Sequence, residues 1–303
     1  MPRPKKKSAA TADLARGGDV PRSFKTATPA FNHTRMESMV PMRDGVKLFT
    51  IIAIPSDATG PMPIILTRTP YNAAARASRT ASPDIAMALP AVDEALVRDG
   101  YIRVYQDVRG RFRSKGKYIM TMPPRGPFNS GKVDQVTDAW DTIDWLVKNV
   151  PGNNGRVGIT GVSYDGLLTL MALLEPHPGL KAAVPVNAMV DSWVGDDFYH
   201  HGAFRTVMLQ YVYRQTSSKN ASHSIPWGHY DYYSAVLEAG SIGELGRRYG
   251  ADKLPAWNRL LDHPAYDDYW QDQALDRQLA KVPRKVPVLT VHSLFDQEDI
   301  YGP

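Results

Sequence analysis

The stretch Arg156-Val-Gly-Ile-Thr-Gly-Val-Ser-Tyr-Asp-Gly-Leu-Leu-Thr-Leu-Met-Ala-Leu-Leu174 decides the fold. An apolar run enters it, a serine follows between glycines, and leucine and methionine then recur at helical spacing. A strand, a sharp turn around a serine and a helix form a nucleophile elbow. Glycines at 161 and 166 permit close backbone approach while the serine is held in a strained conformation. The pattern predicts Ser163 as a nucleophile; a serine in a plain turn is the alternative.

The composition is that of a cysteine-free globular protein. Of 303 residues, 43% are apolar and 10% aromatic, which is enough for a packed core. No apolar run approaches the length that spans a membrane. The lack of cysteine excludes disulfides, thiolate metal sites and a cysteine nucleophile. No signal peptide is visible, which indicates a cytoplasmic protein, or a periplasmic one if a leader has been removed.

The net charge of +5 does not by itself indicate a nucleic-acid partner. Much of the excess lies in residues 1–35, a Pro/Gly/Ala-rich segment that we predict to be a disordered basic arm. Because no recognition motif occurs elsewhere, we expect binding neither to nucleic acid nor to a membrane.

Short apolar strands alternate with helices along most of the chain, which predicts an α/β fold with a mostly parallel, doubly wound sheet. The first part of this core is assigned to residues 36–190 and its continuation to residues 285–303. Residues 191–284 break the alternation and are too long for a connecting loop. They are predicted to form a helical cap, inserted after the strand that follows the elbow helix.

Several separated motifs together resemble the α-amino acid ester hydrolases, within the α/β-hydrolase group that includes cocaine esterase and the X-Pro dipeptidyl-peptidases. The motifs are Arg68-Thr-Pro-Tyr71, Asp107-Val-Arg-Gly110, Gly161–Gly166, Gly195-Asp-Asp197 and Asp296-Gln-Glu298-Asp299. The resemblance implies an α/β-hydrolase fold with a cap. It also implies hydrolysis of α-amino acid esters and amides, including acyl transfer to or hydrolysis of amino-bearing β-lactam antibiotics, without a cofactor.

The resemblance also assigns catalytic roles. Ser163 is the nucleophile and Asp296 the triad carboxylate, and the oxyanion donors are the Tyr71 hydroxyl and the backbone N–H of Tyr164. The position of Asp296 directly after an apolar strand agrees with the chain order of serine and acid in this fold. Taken alone, Asp296 is also compatible with a turn residue, and Tyr71 with a core residue.

A cluster of carboxylates is expected to bind the substrate. The resemblance assigns the α-ammonium group of an aminoacyl substrate to Asp197, Glu298 and Asp299. Three converging carboxylates need a cation, because they otherwise raise one another's pKa values. A solvated acidic turn and a calcium site are the alternatives.

The histidine of the triad is expected to lie outside this chain. In this fold it follows the acid, whereas all eight histidines precede Asp296. The final strand and a β-sandwich domain of the family are likewise expected beyond residue 303. We therefore predict that residues 1–303 alone are a poor hydrolase with an unprotected sheet edge, and that they self-associate into homo-oligomers or aggregates.

Two other functions remain open at this point. One is a cocaine-esterase-like carboxylesterase or an X-Pro dipeptidyl-peptidase, distinguished by whether the substrate must carry a free α-amino group. The other is a catalytically inactive fragment or interaction protein, distinguished by whether the reading frame continues to a histidine.

Overall fold

The computed structural model describes residues 23, 25–26, 30–195, 197–228, 230–283 and 285–296. The chain divides into two units, Met1–Ala30 and Phe31–Pro303. All strands and helices below belong to the second unit. The predicted basic arm lies mostly outside the described residues.

An antiparallel hairpin forms the first edge of the sheet. Strands β1 (His33–Pro41) and β2 (Lys47–Pro55) pair along their whole length. Asp44-Gly45 lies in the turn between them, where Gly45 has φ 80°, a conformation that glycine adopts without steric cost.

The disordered arm was expected to extend to residue 35, and this boundary is wrong. Strand β1 begins at His33, which pairs with Pro55 of β2, so the sheet starts two residues before the expected end of the arm.

The central sheet has the strand order β1-β2-β4-β3-β5-β6. The strands after the hairpin are β3 (Met62–Thr69), β4 (Ile102–Asp107), β5 (Asn153–Ser163) and β6 (Leu180–Ala188). These four are parallel to one another, whereas β2 runs antiparallel to both of its neighbours, β1 and β4. The predicted mostly parallel sheet is confirmed. Because these four strands are parallel, their carboxyl ends meet at one edge, where ligands bind in such sheets.

Helices cover the sheet. They are α1 (Ala73–Arg76), α2 (Ile85–Ala88), α3 (Glu94–Arg98), α4 (Gln135–Asn149) and α5 (Tyr164–Met171). The longest of these helices is α4. Its start is fixed by a capping box between Asp134 and Thr137, which satisfies backbone N–H groups that the first turn leaves unpaired.

Residues 191–284 contain a short hairpin and six helices among the described residues. The elements are β7 (Tyr199–His200), β8 (Ala203–Phe204), α6 (Met208–Thr216), α7 (Tyr232–Ala239), α8 (Ile242–Arg248), α9 (Pro255–Asp262), α10 (Asp268–Gln271) and α11 (Leu275–Leu279). Buried aromatic side chains such as Trp257 and Trp270 belong to the same apolar cluster as the sheet. Nowhere in the described part of the chain is there a helix long and apolar enough to cross a membrane.

The segment around residues 287–291 lies beside β6 but is less regular than predicted. Two isolated parallel bridges, Ala183 to Val288 and Val186 to Val291, connect it to β6. The side chains of Val288 and Leu289 are 47% and 63% exposed. One flank of this segment therefore presents apolar side chains to solvent.

Candidate active site

The site is built around the backbone of Ser163. Strand β5 ends at this serine and α5 begins at the next residue, so the chain changes direction there. Ser163 has φ 58° and ψ −119°, a region that costs a residue other than glycine about 1–3 kcal/mol. This is the strand, strained turn and helix that the sequence predicts. The turn places the serine at the carboxyl edge of the sheet.

Two glycines permit this geometry by close approach. A Cβ atom on Gly161 would lie 2.4 Å from the backbone oxygen of Asp165, and one on Gly166 would lie 2.8 Å from the Cβ of Ala188. Neither position can hold a larger residue without moving the backbone. The start of α5 therefore packs directly against the ends of β5 and β6.

The backbone N–H of Tyr164 lies at the first position of α5, where a helix has no internal partner for it. The Tyr164 side chain is 1% exposed, and its hydroxyl oxygen accepts a hydrogen bond from the Thr121 N–H at 2.7 Å. Burial raises the pKa of Tyr164, against an opposing effect of the Thr121 bond. The buried ring anchors the residue, so its N–H is held in place beside Ser163.

The structure brings Tyr71 to the same place. Its ring lies edge-on to that of Tyr164, with centroids 6.4 Å apart. Its hydroxyl oxygen is 2.8 Å from that of Tyr211 on α6. Burial raises the pKa of Tyr71 well above its ordinary value, so its hydroxyl is protonated at neutral pH and has a proton to donate.

The turn that carries Tyr71 is held by Asp107 at the end of β4. The Asp107 carboxylate accepts a hydrogen bond from the Ala73 N–H at 2.6 Å, and Thr69 Oγ1 accepts one from the Tyr71 N–H at 3.1 Å. Burial raises the pKa of Asp107 to about 6, although the Ala73 N–H lowers it. The first residue of the Asp107-Val-Arg-Gly110 motif thus acts on the position of Tyr71.

Asp296 is held at the same edge by Asn187, which the sequence analysis did not single out. Asn187 donates a hydrogen bond from Nδ2 to Asp296 Oδ2 at 2.5 Å and accepts one from the Ser293 N–H at 3.0 Å. The next residue, Ala188, is the register partner of Ser163. The sequence did contain one signal for this residue, because Asn187 is an asparagine at the carboxyl end of the strand that follows the elbow helix.

The predicted carboxylate cluster is described only in part. Asp197 is 5% exposed, on the loop before β7. Glu298 and Asp299 lie outside the described residues, so their convergence with Asp197 stays a prediction. Within the described ranges no group of three or more imidazole or carboxylate side chains is placed to hold a metal ion.

Three described histidines have clear surroundings. His177 Nδ1 accepts a hydrogen bond from the Gly179 N–H at 2.9 Å, and His263 Nδ1 lies 2.7 Å from Asp267 Oδ2, so both take part in local structure. The ring nitrogens of His292 are buried, and no described residue forms a hydrogen bond with them. None of these contacts assigns a proton acceptor to Ser163.

The mostly parallel sheet, the helices that cover it and the strained serine turn between β5 and α5 define an α/β-hydrolase fold. The sequence pattern of the X-Pro dipeptidyl-peptidase family (S15 family) matches residues 44–302, and the chain belongs to that family. The cocaine esterase of Rhodococcus sp. (strain MB1 Bresler) is 31% identical over 270 residues, which are 85% of this chain and 43% of the esterase.

Two solved structures are similar at higher identity. An α-amino acid ester hydrolase is 47% identical with a TM-score of 0.88, and the match covers 98% of this chain and 47% of that one. An aminopeptidase from a marine sediment archaeon, Thaumarchaeota archaeon, is 48% identical with a TM-score of 0.88, covering 94% of this chain and 47% of that one. The resemblance seen in the motifs is confirmed. The chain spans less than half the length of these relatives.

Proposed function

We propose that the protein is a serine hydrolase that cleaves esters and amides of α-amino acids through an acyl-enzyme on Ser163. The observation that carries this proposal is the strained Ser163 backbone at the end of β5, beside the first N–H groups of α5, which have no partner within the helix. The similar α-amino acid ester hydrolase and aminopeptidase support the substrate class, because both names denote enzymes that act on aminoacyl compounds.

In the proposed reaction, Ser163 Oγ attacks the acyl carbon and its proton passes to an imidazole. The carbon–oxygen bond of an ester, or the carbon–nitrogen bond of an amide, then breaks, and the leaving group takes that proton. Water repeats the attack and releases the acid. Asp296 would orient the imidazole and stabilise its cation. In this fold the imidazole comes from a loop that follows the acid in the chain.

Negative charge on the former carbonyl oxygen needs hydrogen-bond donors at the moment of attack. The Tyr164 N–H and the Tyr71 hydroxyl are proposed as these donors, and the loss of one typically costs about 3–4 kcal/mol of barrier. Their side chains are in edge contact, which supports a shared role. The raised pKa of Tyr71 keeps its proton available for donation.

The α-ammonium group of the substrate is proposed to bind Asp197, Glu298 and Asp299. Support comes from the burial of Asp197, because a buried carboxylate is costly unless a cation or hydrogen bonds compensate it. A β-lactam antibiotic with an amino-bearing side chain presents the same ammonium next to an acyl carbonyl. The same site would hydrolyse such a molecule, or form its amide bond by acyl transfer to a β-lactam amine.

The test compares phenylglycine methyl ester with phenylacetic acid methyl ester, which lacks only the amino group, on the protein expressed from the complete reading frame. We expect kcat/KM to favour the amino ester by about 100-fold or more, the range of a charge pair worth a few kcal/mol. Ser163→Ala should remove turnover of both esters, while Ser56→Ala, at an exposed serine, should leave it intact.

Two results would count against the proposal. Activity that survives in Ser163→Ala would remove the nucleophile assignment. Equal rates on the two esters would instead favour a carboxylesterase of the cocaine esterase type, the second candidate, for which the 31% identity to that enzyme is the supporting observation.

A further inference from the structure

We propose that Tyr211 is a positioning residue that donates its hydroxyl proton to Tyr71 and thereby leaves the Tyr71 proton for the substrate oxyanion. This inference rests on the proposed function, because it concerns the donor that stabilises the acyl-transfer transition state. Tyr211 lies on α6, in the segment 191–284, whereas Tyr71 follows β3 of the sheet. The two residues are 140 positions apart in the sequence.

The number of hydroxyl protons in the pair limits what Tyr71 can donate. A tyrosine hydroxyl has one proton to donate, and its oxygen also accepts hydrogen bonds. The two hydroxyl oxygens are 2.8 Å apart, so one of the two protons lies between them. If Tyr71 supplied that proton, it would have none for the oxyanion. Tyr71 acts as an oxyanion donor only when Tyr211 is the donor within the pair.

The geometry of the pair allows donation in either direction. Burial raises the pKa of both tyrosines, so both are protonated at neutral pH and either oxygen could be the donor. The need for a Tyr71 proton at the oxyanion is what selects Tyr211 as the donor within the pair. Tyr211 is also fixed on its helix, since the adjacent Val212 is fully buried.

The Tyr71 ring is held independently of its hydroxyl. The Arg76 guanidinium carbon lies 5.2 Å from the ring centroid, within the range of a cation–π contact. Arg76 Nη1 lies 3.2 Å from Asp165 Oδ2 in the first turn of α5. With the ring fixed in this way, the remaining freedom is rotation of the Tyr71 O–H bond, and Tyr211 restricts that rotation. A hydroxyl that accepts one hydrogen bond also becomes a stronger donor in another.

The experiment is a double-mutant cycle of Tyr71→Phe and Tyr211→Phe in the protein from the complete reading frame, assayed with phenylglycine methyl ester. Each change removes only a hydroxyl oxygen. We expect Tyr71→Phe to lower kcat by about 100- to 1,000-fold. Tyr211→Phe should lower kcat by about five- to tenfold, the range of one neutral hydrogen bond, with KM changed less than about twofold. The matched control is Tyr213→Phe on the same helix, which should keep full activity.

The decisive measurement is the kcat of the double variant. If Tyr211 acts through Tyr71, adding Tyr211→Phe to Tyr71→Phe should cause no further loss of kcat. A kcat of Tyr211→Phe equal to or above that of the unmodified protein would overturn the inference, because Tyr71 would then not depend on a donor. An equal loss in both backgrounds would overturn it in favour of a packing role.

The single variants distinguish a failure of the role of Tyr211 from a failure of the proposed function. A large loss in Tyr71→Phe together with an unchanged Tyr211→Phe overturns the role of Tyr211 alone and leaves the proposed function standing. Full activity of Tyr71→Phe overturns the oxyanion assignment itself, and the role of Tyr211 with it.

Discussion

Asn187 donates a hydrogen bond to Asp296 over 2.5 Å, and this bond joins the end of β6 to the segment that carries the proposed triad acid. Asn187 has φ 40°, in the left-handed region where asparagine and glycine are the residues most readily tolerated. Its amide oxygen accepts a hydrogen bond from the Ser293 N–H. One side chain thus fixes the loop at two points.

We therefore expect Asn187→Gly to lower kcat/KM for phenylglycine methyl ester by about 10- to 100-fold. Glycine keeps the left-handed backbone but removes both side-chain bonds, and a hydrogen bond to a charged group contributes about 1.5–3 kcal/mol. Asn149→Gly, at an exposed residue that ends α4, is the control. Full activity of Asn187→Gly, measured by steady-state kinetics, would show that Asp296 needs no such anchor or is not the acid.

A second prediction concerns the buried carboxyl of Asp165, next to Tyr164. Burial raises its pKa to about 7, and this effect is partly offset by the positive charge of Arg76. The unfolded chain has a pKa near 3.9 at this group. Between about pH 4 and pH 7 the folded state therefore binds more protons than the unfolded state, and the free energy of unfolding falls as the pH rises.

Asp165→Asn removes this contribution. Urea unfolding from pH 4.5 to 7.5 should show the stability of the unmodified protein, relative to the variant, decreasing with pH by up to about 1.4 kcal/mol per unit. The ion pair to Arg76 acts in the opposite direction, but the Arg76 side chain is 36% exposed and solvent screens it. A relative stability that rises with pH would mean that the ion pair outweighs burial.

A third prediction tests the ammonium site. Asp197→Asn should reduce kcat/KM for phenylglycine methyl ester by an amount on the order of 2–5 kcal/mol, the cost of losing one partner of a buried charge pair. Phenylacetic acid methyl ester, without the ammonium, should be affected far less. Asp252→Asn, at an exposed carboxylate of the same segment, provides the control. Equal losses on both esters would show that Asp197 is structural.

Much of the fold was predictable from local pattern. The elbow combines an apolar strand, two glycines and a helical period within one stretch, and each signal favours the same structure. The hairpin β7–β8 was not predictable, because strands of two residues have no periodicity. The break between α7 and α8 lies at Gly240, which has φ 72° and is followed by the capping residue Ser241.

The site was predictable only where a motif carried it. The roles of Asn187 and Tyr211 were not predictable from the sequence, because they depend on contacts between distant parts of the chain. Asn187 reaches Asp296 over 109 positions, and Tyr211 reaches Tyr71 over 140. Such pairs follow from how β6 and α6 pack, which no single stretch of sequence encodes.

A fourth prediction concerns a polypeptide limited to residues 1–303. Its rate of aminoacyl ester hydrolysis should not exceed the uncatalysed rate in water by more than about 10³–10⁴-fold, because this is the catalysis that remains when a triad member is missing. An ordinary enzymatic rate would contradict this. His292, whose ring nitrogens are buried, would then be the first histidine to substitute.

The same polypeptide should elute from a sizing column above its mass of 33.6 kDa. The exposed apolar segment beside β6 favours edge-to-edge pairing, and Leu289→Lys should shift the elution toward the monomer. Leu237→Lys on α7 is the matched control, because Leu237 is 61% exposed and Leu289 63%. A monomer before any substitution would exclude this edge as an association site.

The most direct test of the central claim is to trap the acyl-enzyme. The protein from the complete reading frame is mixed with phenylglycine methyl ester, quenched in acid within milliseconds, digested and analysed by mass spectrometry. We predict one phenylglycyl group on the peptide that contains Ser163, and none in Ser163→Ala. A phenylglycyl group on another residue, or turnover of the ester with no acylated peptide, would contradict the account.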